Sequence, residues 1–567
     1  MNLLDWLVLG LTLSGIVGYG VYKTRKNQSV EGFLTGDHSL KWPTIGLSIM
    51  ATQASAITFL STPGQAFQSG MGFVQFYFGL PIAMIIISAF FLPRYYKLNV
   101  FTAYEYLEQR FDGNTRIFTA SLFLLSRGLA AGITIYAPAI ILSTLLGWDL
   151  NLMNIAVGVL VIIYTVSGGT KAVSLTQKWQ MGVIFLGMAL AFYYVLQGLP
   201  DDLSFLGALE VAGWADKMEI INTDVSYSER YTLWSGLTGG LFLALSYFGT
   251  DQSQVQRYLG GKSLKESRLG LLFNGLFKVP MQFAILLVGI MVFVFYQYTR
   301  PPVFFNQTGY EAAVQLDTEG VLEDLNTQHI EVFEQKKAVL NQWDKKLNNT
   351  EEIKAQYQEL NAQQVQIKNE TLAQIKKLDK EIVTKDSDYV FLTFVVNHLP
   401  HGIIGILLAV IFSAAMSSTA GELNALASTT MVDFVDKYST KKRTEKQNLQ
   451  LSKIITLVWG IGAIGIALAA DLFDNLIQLV NLLGSLFYGT ILGIFLVAFF
   501  IKFVKARAML YAALLGEALV LGIHALVVTE YFDIGFLWYN AIGCAAVVIF
   551  ALIFQGMMHG KTEAAES

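Results

Sequence analysis

The chain has 567 residues, of which 54% are hydrophobic and 14% charged, with a formal net charge of -4 and a single cysteine, Cys544. Windows of about 20 residues almost free of charge fit helices crossing a hydrocarbon core roughly 30 Å thick. This composition argues against a soluble enzyme, a nucleic-acid-binding protein, a disulfide framework and a thiolate metal cluster, and for an all-α polytopic protein of the plasma or inner membrane.

The opening stretch "MNLLDWLVLGLTLSGIVGYGVY" has no basic start and no small-residue cleavage pattern, so it is expected to stay as the first helix. About 13 spans follow one another at roughly 4–22, 43–62, 70–93, 117–145, 151–168, 177–198, 232–256, 269–298, 399–433, 451–470, 474–501, 507–528 and 533–558. The stretches "KTRKN", "PRYYKLN", "GGTKAVSLTQK", "VQRYLGGKSLKESR", "KYSTKKRTEK" and "KFVKAR" all fall on one side of this path. By the bias of Lys and Arg toward cytoplasmic loops, the amino terminus lies outside and the carboxyl terminus inside.

Irregular backbone is tolerated at membrane depth only where it lines a cavity or a site, so interrupted spans point to function. The second span is interrupted by Thr52, Gln53, Ser55 and Thr58, with small residues at Ala51, Ala54 and Ala56 that leave backbone carbonyls uncovered. In the fourth span, Arg127 lies about ten residues in, which makes it a candidate partner for an anionic solute. It could equally pair with an internal acid, Asp251 or Glu422. The seventh span breaks at Ser246, Gly249, Thr250, Asp251 and Gln252; two interrupted helices at matching places are the best sequence-level pointer to an inverted-repeat transporter. Lys278, in the eighth span, is placed to reach the cytoplasmic interface from about two and a half turns inside.

Residues 303–388 are rich in Lys, Glu and Gln and carry Ile330, Phe333, Leu340, Leu347, Leu360, Ile367, Leu378 and Ile382 at helical spacing. They are expected to form an outside antiparallel pair of amphipathic helices turning near "NNTEE", either as a spacer or as a contact for an extracellular protein partner. In the ninth span, "FSAAMSSTAGELNAL", Ala414, Ser417 and Ser418 stand at i, i+3 and i+4 on one face. One carbonyl and two hydroxyls there look like half of a site for Na⁺, a hard cation that neutral oxygens can hold without a buried carboxylate.

Seven stretches, "ATQASAITFLSTPG", "FFLPRYYKL", "TAYEYLEQRF", "IYAPA", "GGTKAV", "QVQRYL" and "FSAAMSSTAGELNALAST", occur in the order and at the spacing of the solute:sodium symporter family. The sequence resembles a sodium/glucose-cotransporter-like, bacterial-type member of that family with an extracellular helical insertion. The resemblance implies a LeuT-type core of five plus five helices in inverted repeats, sodium as coupling ion, and sodium ligands at the carbonyls of Ala51, Ala54 and Ala414 and the hydroxyls of Ser417 and Ser418. It also implies a solute site at Gln53, Ser55, Thr58, Tyr77, Arg127, Tyr247, Lys278 and Asn481, lined by the second, third, fourth, seventh, eighth and eleventh spans. The solute would be a sugar, sialic acid or monocarboxylate carried by alternating access, with a proton-coupled transporter and a transporter-like sensor as the alternatives. Gln177 stands where such relatives often have an acid, which bears on the coupling ion.

The expected organisation is 1–42 as first helix and link, 43–302 as the first core repeat and the start of the second, 303–388 as the hairpin, 389–501 as the rest of the second repeat, and 502–567 as accessory helices.

Overall fold

A computed structural model describes residues 2–24, 32–33, 38–98, 100–343, 350–380, 382, 384, 386–439, 443–469 and 476–566. Within these residues the chain is helical, apart from turns and an isolated bridge between Leu40 and Gly261. The helices used below are α1 (Leu3–Thr24), α2 (Trp42–Gln53), α3 (Ala56–Ser69), α4 (Gly113–Leu146), α5 (Leu150–Gln197), α6 (Leu241–Gly249), α7 (Gln252–Leu259), α8 (Leu264–Tyr298), α9 (Val321–Asn341), α10 (Thr350–Leu378), α11 (Ser387–His398), α12 (Ile403–Thr429), α13 (Glu445–Ala467), α14 (Leu476–Phe500), α15 (Ala506–Val528) and α16 (Leu537–Glu566).

Among the described residues, nine helices are long and apolar enough to cross a membrane. Others of the expected spans fall short because the backbone divides them: α2 has 12 residues and α6 nine. On α13 the exposed residues Ile454, Leu457, Val458 and Ile461 make an i, i+3, i+4, i+7 stripe facing away from the protein, as lipid contact requires. In contrast, α12 is buried along most of its length, packed against α1, α4, α5 and α13. Its Ala, Gly and Ser residues let neighbouring backbones approach closely.

The expected loop at "GGTKAV" does not exist as a loop. α5 runs from Leu150 to Gln197 with one non-helical residue, Gly169 at φ 59° and ψ -172°, so the fifth and sixth spans meet at a kink. A β-carbon at Gly169 would stand 2.6 Å from the Phe33 ring and 2.9 Å from its Cα, and the positive φ disfavours other residues as well. Gly64 of α3 serves a close approach instead, since a β-carbon there would stand 1.8 Å from the carbonyl oxygen of Ser387 at the start of α11.

Between α8 and α11 lie three helices where two were expected: Gln307–Leu316, then α9 and α10. Phe333, Leu340 and Ile367 are buried in the α9–α10 seam, but so are His329, Lys336, Gln364 and Thr371, which an apolar pattern does not reveal. The turn at Asn348 and Asn349, together with Leu347, lies outside the described residues, as do Arg25 and Lys26 of the first basic loop. The hairpin is seated on the helical body. Trp343 packs edge-on against Trp214 at 4.8 Å, the Tyr357 hydroxyl donates to Gln297 of α8 at 3.2 Å, and Lys368 pairs with Asp386 at 3.0 Å.

Burial in the seam pushes Lys336 down to about 7, with the Gln364 side chain as a neutral acceptor. Unfolded, this lysine holds its proton up to about pH 10.4, so opening the hairpin takes up a proton between these values and local stability rises with pH across that window. Below pH 7 both states are protonated and the whole burial cost of the charge is present. Lys336→Met is therefore expected to strengthen the hairpin by about 1–4 kcal/mol near pH 6.5, with the gain shrinking toward pH 10. Hydrogen exchange of the α9 and α10 amides at pH 6.5 and 9 reads this directly; equal protection in both proteins at the lower pH would contradict it.

Candidate functional site

The second span breaks between α2 and α3. The helix ends at Gln53, Ala54 caps it with its N–H on the Met50 carbonyl at 2.7 Å, and α3 restarts after Ser55, which is extended at φ -71° and ψ 174°. Across the break lies α12, fully buried here, with the Ser417 hydroxyl 3.4 Å from the Ala51 carbonyl and the Ser418 hydroxyl 3.1 Å from the Ala414 carbonyl. A carbonyl oxygen at a helix end and a hydroxyl from the facing helix thus meet at one buried spot. Gln177 of α5 closes the cluster from behind. Its amide nitrogen donates to Thr52 at 3.0 Å and to the Ser417 carbonyl at 3.3 Å, and its oxygen accepts from Ser48. In this setting the glutamine is a satisfied neutral strut, with no titratable group.

The seventh span breaks between α6 and α7. Its freed carbonyls find donors elsewhere: the Tyr95 hydroxyl donates to Gly249 at 2.7 Å and the Tyr104 hydroxyl to Thr250 at 3.1 Å. Asp251 caps α7, one oxygen accepting from the Ser253 N–H at 2.8 Å. Its other oxygen accepts from Arg127, through Nε at 3.1 Å and through Nη2, and from the Tyr488 hydroxyl at 3.0 Å. Arg127 also donates to Glu422 at 3.0 Å and to Tyr488, and Thr134 donates to the second oxygen of Glu422 at 3.0 Å. A buried arginine on α4 therefore ties the α7 break to α12 and α14, and the pairing with internal acids is the arrangement found.

Between the two breaks lies a cavity of about 680 Å³, open space at its mouth included. It is lined by Thr52, Gln53, Ser55, Ile57, Thr58, Phe76, Tyr77, Arg127, Thr134, Leu243, Tyr247, Glu422, Val480, Asn481 and Tyr488. Of the residues expected to bind solute, Gln53, Ser55, Thr58, Tyr77, Arg127, Tyr247 and Asn481 come together here. Lys278 does not: it is buried behind the wall, its Nζ 5.7 Å from the centre of the Tyr77 ring. The eighth span thus supports the cavity without lining it, whereas the ninth supplies Glu422. Tyr488 and Thr134 went unnoticed in the sequence, because a tyrosine in "GSLFYGTILG" and a threonine in "AAGITIYAP" carry no pattern beyond that of any apolar span.

A family model described as the sodium:solute symporter family matches residues 33–315 and 373–516, most of the chain and both halves of the site. The chain belongs to the sodium:solute symporter family. Among its relatives, the sodium-coupled monocarboxylate transporter 2 of Bos taurus is 26% identical over 503 residues, covering 89% of this chain and 69% of that protein. The sodium/sialic acid symporter SiaT of Proteus mirabilis is 25% identical over 557 residues, covering 96% of this chain and 93% of that one. A solved structure of a Na⁺-coupled sialic acid symporter superposes with a TM-score of 0.75 over 98% of both chains at 23% identity, which establishes the shared LeuT-type fold. This symporter is therefore a multi-pass membrane protein that couples sodium to the movement of a small solute, and not an enzyme. The stretch the family model leaves unmatched, 316–372, holds α9 and most of α10.

Proposed function

We propose that the symporter imports a small organic carboxylate, with sodium held by the carbonyls of Ala51, Ala54 and Ala414 and the hydroxyls of Ser417 and Ser418. The observation that carries the choice of solute is the amino end of α3. This helix of 14 residues begins in the cavity wall, and no side chain caps it. The first N–H groups of a helix lack partners within it and carry its positive dipole end, so a broken helix pointing into a cavity suits an anion. Gln53, Ser55, Thr58 and Asn481 surround it with neutral hydrogen-bonding groups, and Ile57, Phe76, Leu243 and Val480 suit the carbon skeleton. The guanidinium of Arg127 is already engaged by Asp251, Glu422 and Tyr488, so we assign it to shaping the wall and not to clasping solute. The solutes named for both relatives above are carboxylates, in agreement.

Sodium bridging α2 and α12 favours the state open to the outside, and the carboxylate lies across the same break. Ion and solute then raise each other's affinity, and loss of sodium to the cytoplasm releases both. The basic loops support 13 spans with the amino terminus outside, which puts the 303–388 hairpin outside as an insertion between core helices. Its solvent-facing surface of Lys, Glu and Gln is where an extracellular protein partner would meet it. The test is uptake into proteoliposomes under an inward sodium gradient, with lactate, N-acetylneuraminate and glucose as solutes. Accumulation of a carboxylate in sodium but not in potassium is expected; sodium-driven glucose uptake with neither acid carried would overturn the reading.

A further inference from the structure

A second cavity, which shares no lining residue with the central one, lies at the junction of the outer end of α8, the α9 helix of the inserted hairpin, and α11. It encloses about 930 Å³, counting its open mouth. Its wall includes Tyr296 and Arg300 from the end of α8 and beyond it, Asn326 and Ile330 from α9, and Thr393 and Asn397 from α11. No carboxylate lines it. Arg300 is exposed to the cavity mouth and forms no ion pair among the described residues. The ring of Tyr296, 1% exposed, backs this wall, with its hydroxyl closed off from the cavity.

Arg300 is a cation without a paired anion among the described residues, in a space whose other polar side chains are amides, hydroxyls and the imidazole of His398. We infer that this cavity is an outer binding site for a small organic carboxylate, with Arg300 pairing the carboxylate and Asn326, Thr393 and Asn397 offering hydrogen bonds to its other oxygens. A guanidinium can hold a carboxylate through two parallel hydrogen bonds, which an exposed mouth position allows. The site is too roomy, and its donors too widely spread along an amphipathic wall, for a bare inorganic ion. Its wall also backs onto α3, where the Tyr296 ring packs edge-on against Phe67 at 6.1 Å, in the helix that begins in the central cavity. Asn326 and Ile330 belong to the stretch that the family model leaves unmatched, so the hairpin supplies one wall of the site.

This inference goes beyond the central site and stands on the chemistry of the outer cavity alone. The test uses the full-length symporter in nanodiscs, in potassium without sodium, carrying Ser417→Ala/Ser418→Ala so that sodium-assisted binding at the centre is removed. Equilibrium binding of radiolabelled lactate and N-acetylneuraminate is then measured, with glucose as competitor. Saturable binding of at least one acid that glucose does not displace is expected. Arg300→Gln should weaken it about tenfold or more, and Asn326→Ala, on the opposite wall, about threefold. Absence of saturable binding for both acids, or binding that both variants leave intact, overturns the site. Sodium-driven uptake by the unmodified protein reports on the central site separately, so carboxylate uptake that fails while outer binding persists counts against the central reading only.

Discussion

Ser417→Ala/Ser418→Ala is expected to abolish sodium-driven accumulation while leaving the symporter folded. Both hydroxyls are buried, and their contacts are weak ones: 3.4 Å to the Ala51 carbonyl for Ser417, 3.1 Å and 3.3 Å to carbonyls of its own helix for Ser418. Removing a hydroxyl that bonds back to its own turn costs about 1 kcal/mol or less, and alanine suits a helix interior. The effect on the ion is far larger. Even residues that only orient metal ligands change affinity by about 10–100-fold, and two of the five oxygens proposed above would be lost outright. The carbonyls that remain sit at the break of α2, with nothing on α12 but Ala414 to complete the shell. Thermal stability in sodium and in potassium separates the two effects. In potassium the variant should melt close to the parent, whereas the stabilisation that sodium gives the parent, which grows with ion concentration above the dissociation constant, should vanish. A variant that sodium stabilises as much as it does the parent would place the ion elsewhere. Because coupling is reciprocal, the variant's solute affinity should also lose its dependence on sodium.

The oxygen cluster was legible because polar side chains at bilayer depth are costly and so are informative wherever they occur. Thr52, Gln53, Ser55 and Thr58 mark one break, Thr250 and Asp251 the other, and Ser417 with Ser418 the helix that faces the first. The structure finds both breaks where those residues stand. What was not legible depends on direction rather than identity. Lys278 and Arg127 are both cations in apolar spans, yet Arg127 reaches the cavity and Lys278 turns behind Tyr77, a difference set by how α8 is rotated against its neighbours and not by its sequence. The kink at Gly169 escaped for a related reason: the two adjacent glycines of "SGGTKAV" suggest a loop, but a single residue at positive φ is enough to redirect a helix. In the hairpin seam, Lys336 and His329 interrupt the apolar pattern, so spacing alone found the helices without finding all of their inner faces.

Arg127→Met is expected to cost stability as well as transport, and the manner of its rescue decides what the arginine does. The substitution leaves Asp251 and Glu422 buried without their cation. Removing one member of a buried ion pair costs about 3–5 kcal/mol, because the partner's charge stays out of water uncompensated, and here two carboxylates are stranded. The variant should melt well below the parent and carry no solute. Adding Asp251→Asn and Glu422→Gln removes the stranded charges. The amide oxygens these two changes introduce can still accept from Ser253 and Thr134, so most of the lost stability should return. Transport should not return with it, since the charged tie that holds α4, α7, α12 and α14 around the cavity is gone and the α7 break is free to shift. Solute binding then discriminates between roles. If Arg127 only shapes the wall, the triple variant, once stable, should bind carboxylate in sodium within a few-fold of the parent; if it holds the carboxylate itself, affinity should fall by the roughly 1.5–3 kcal/mol of a charge-assisted hydrogen bond, about tenfold to a hundredfold or more. The engaged guanidinium favours the first outcome: Asp251, Glu422 and Tyr488 already take four of its five N–H donors. A single Arg127→Met variant that melts and transports like the parent would show that the two acids are neutral in the folded protein, and the tie would then be one of neutral hydrogen bonds rather than of charge.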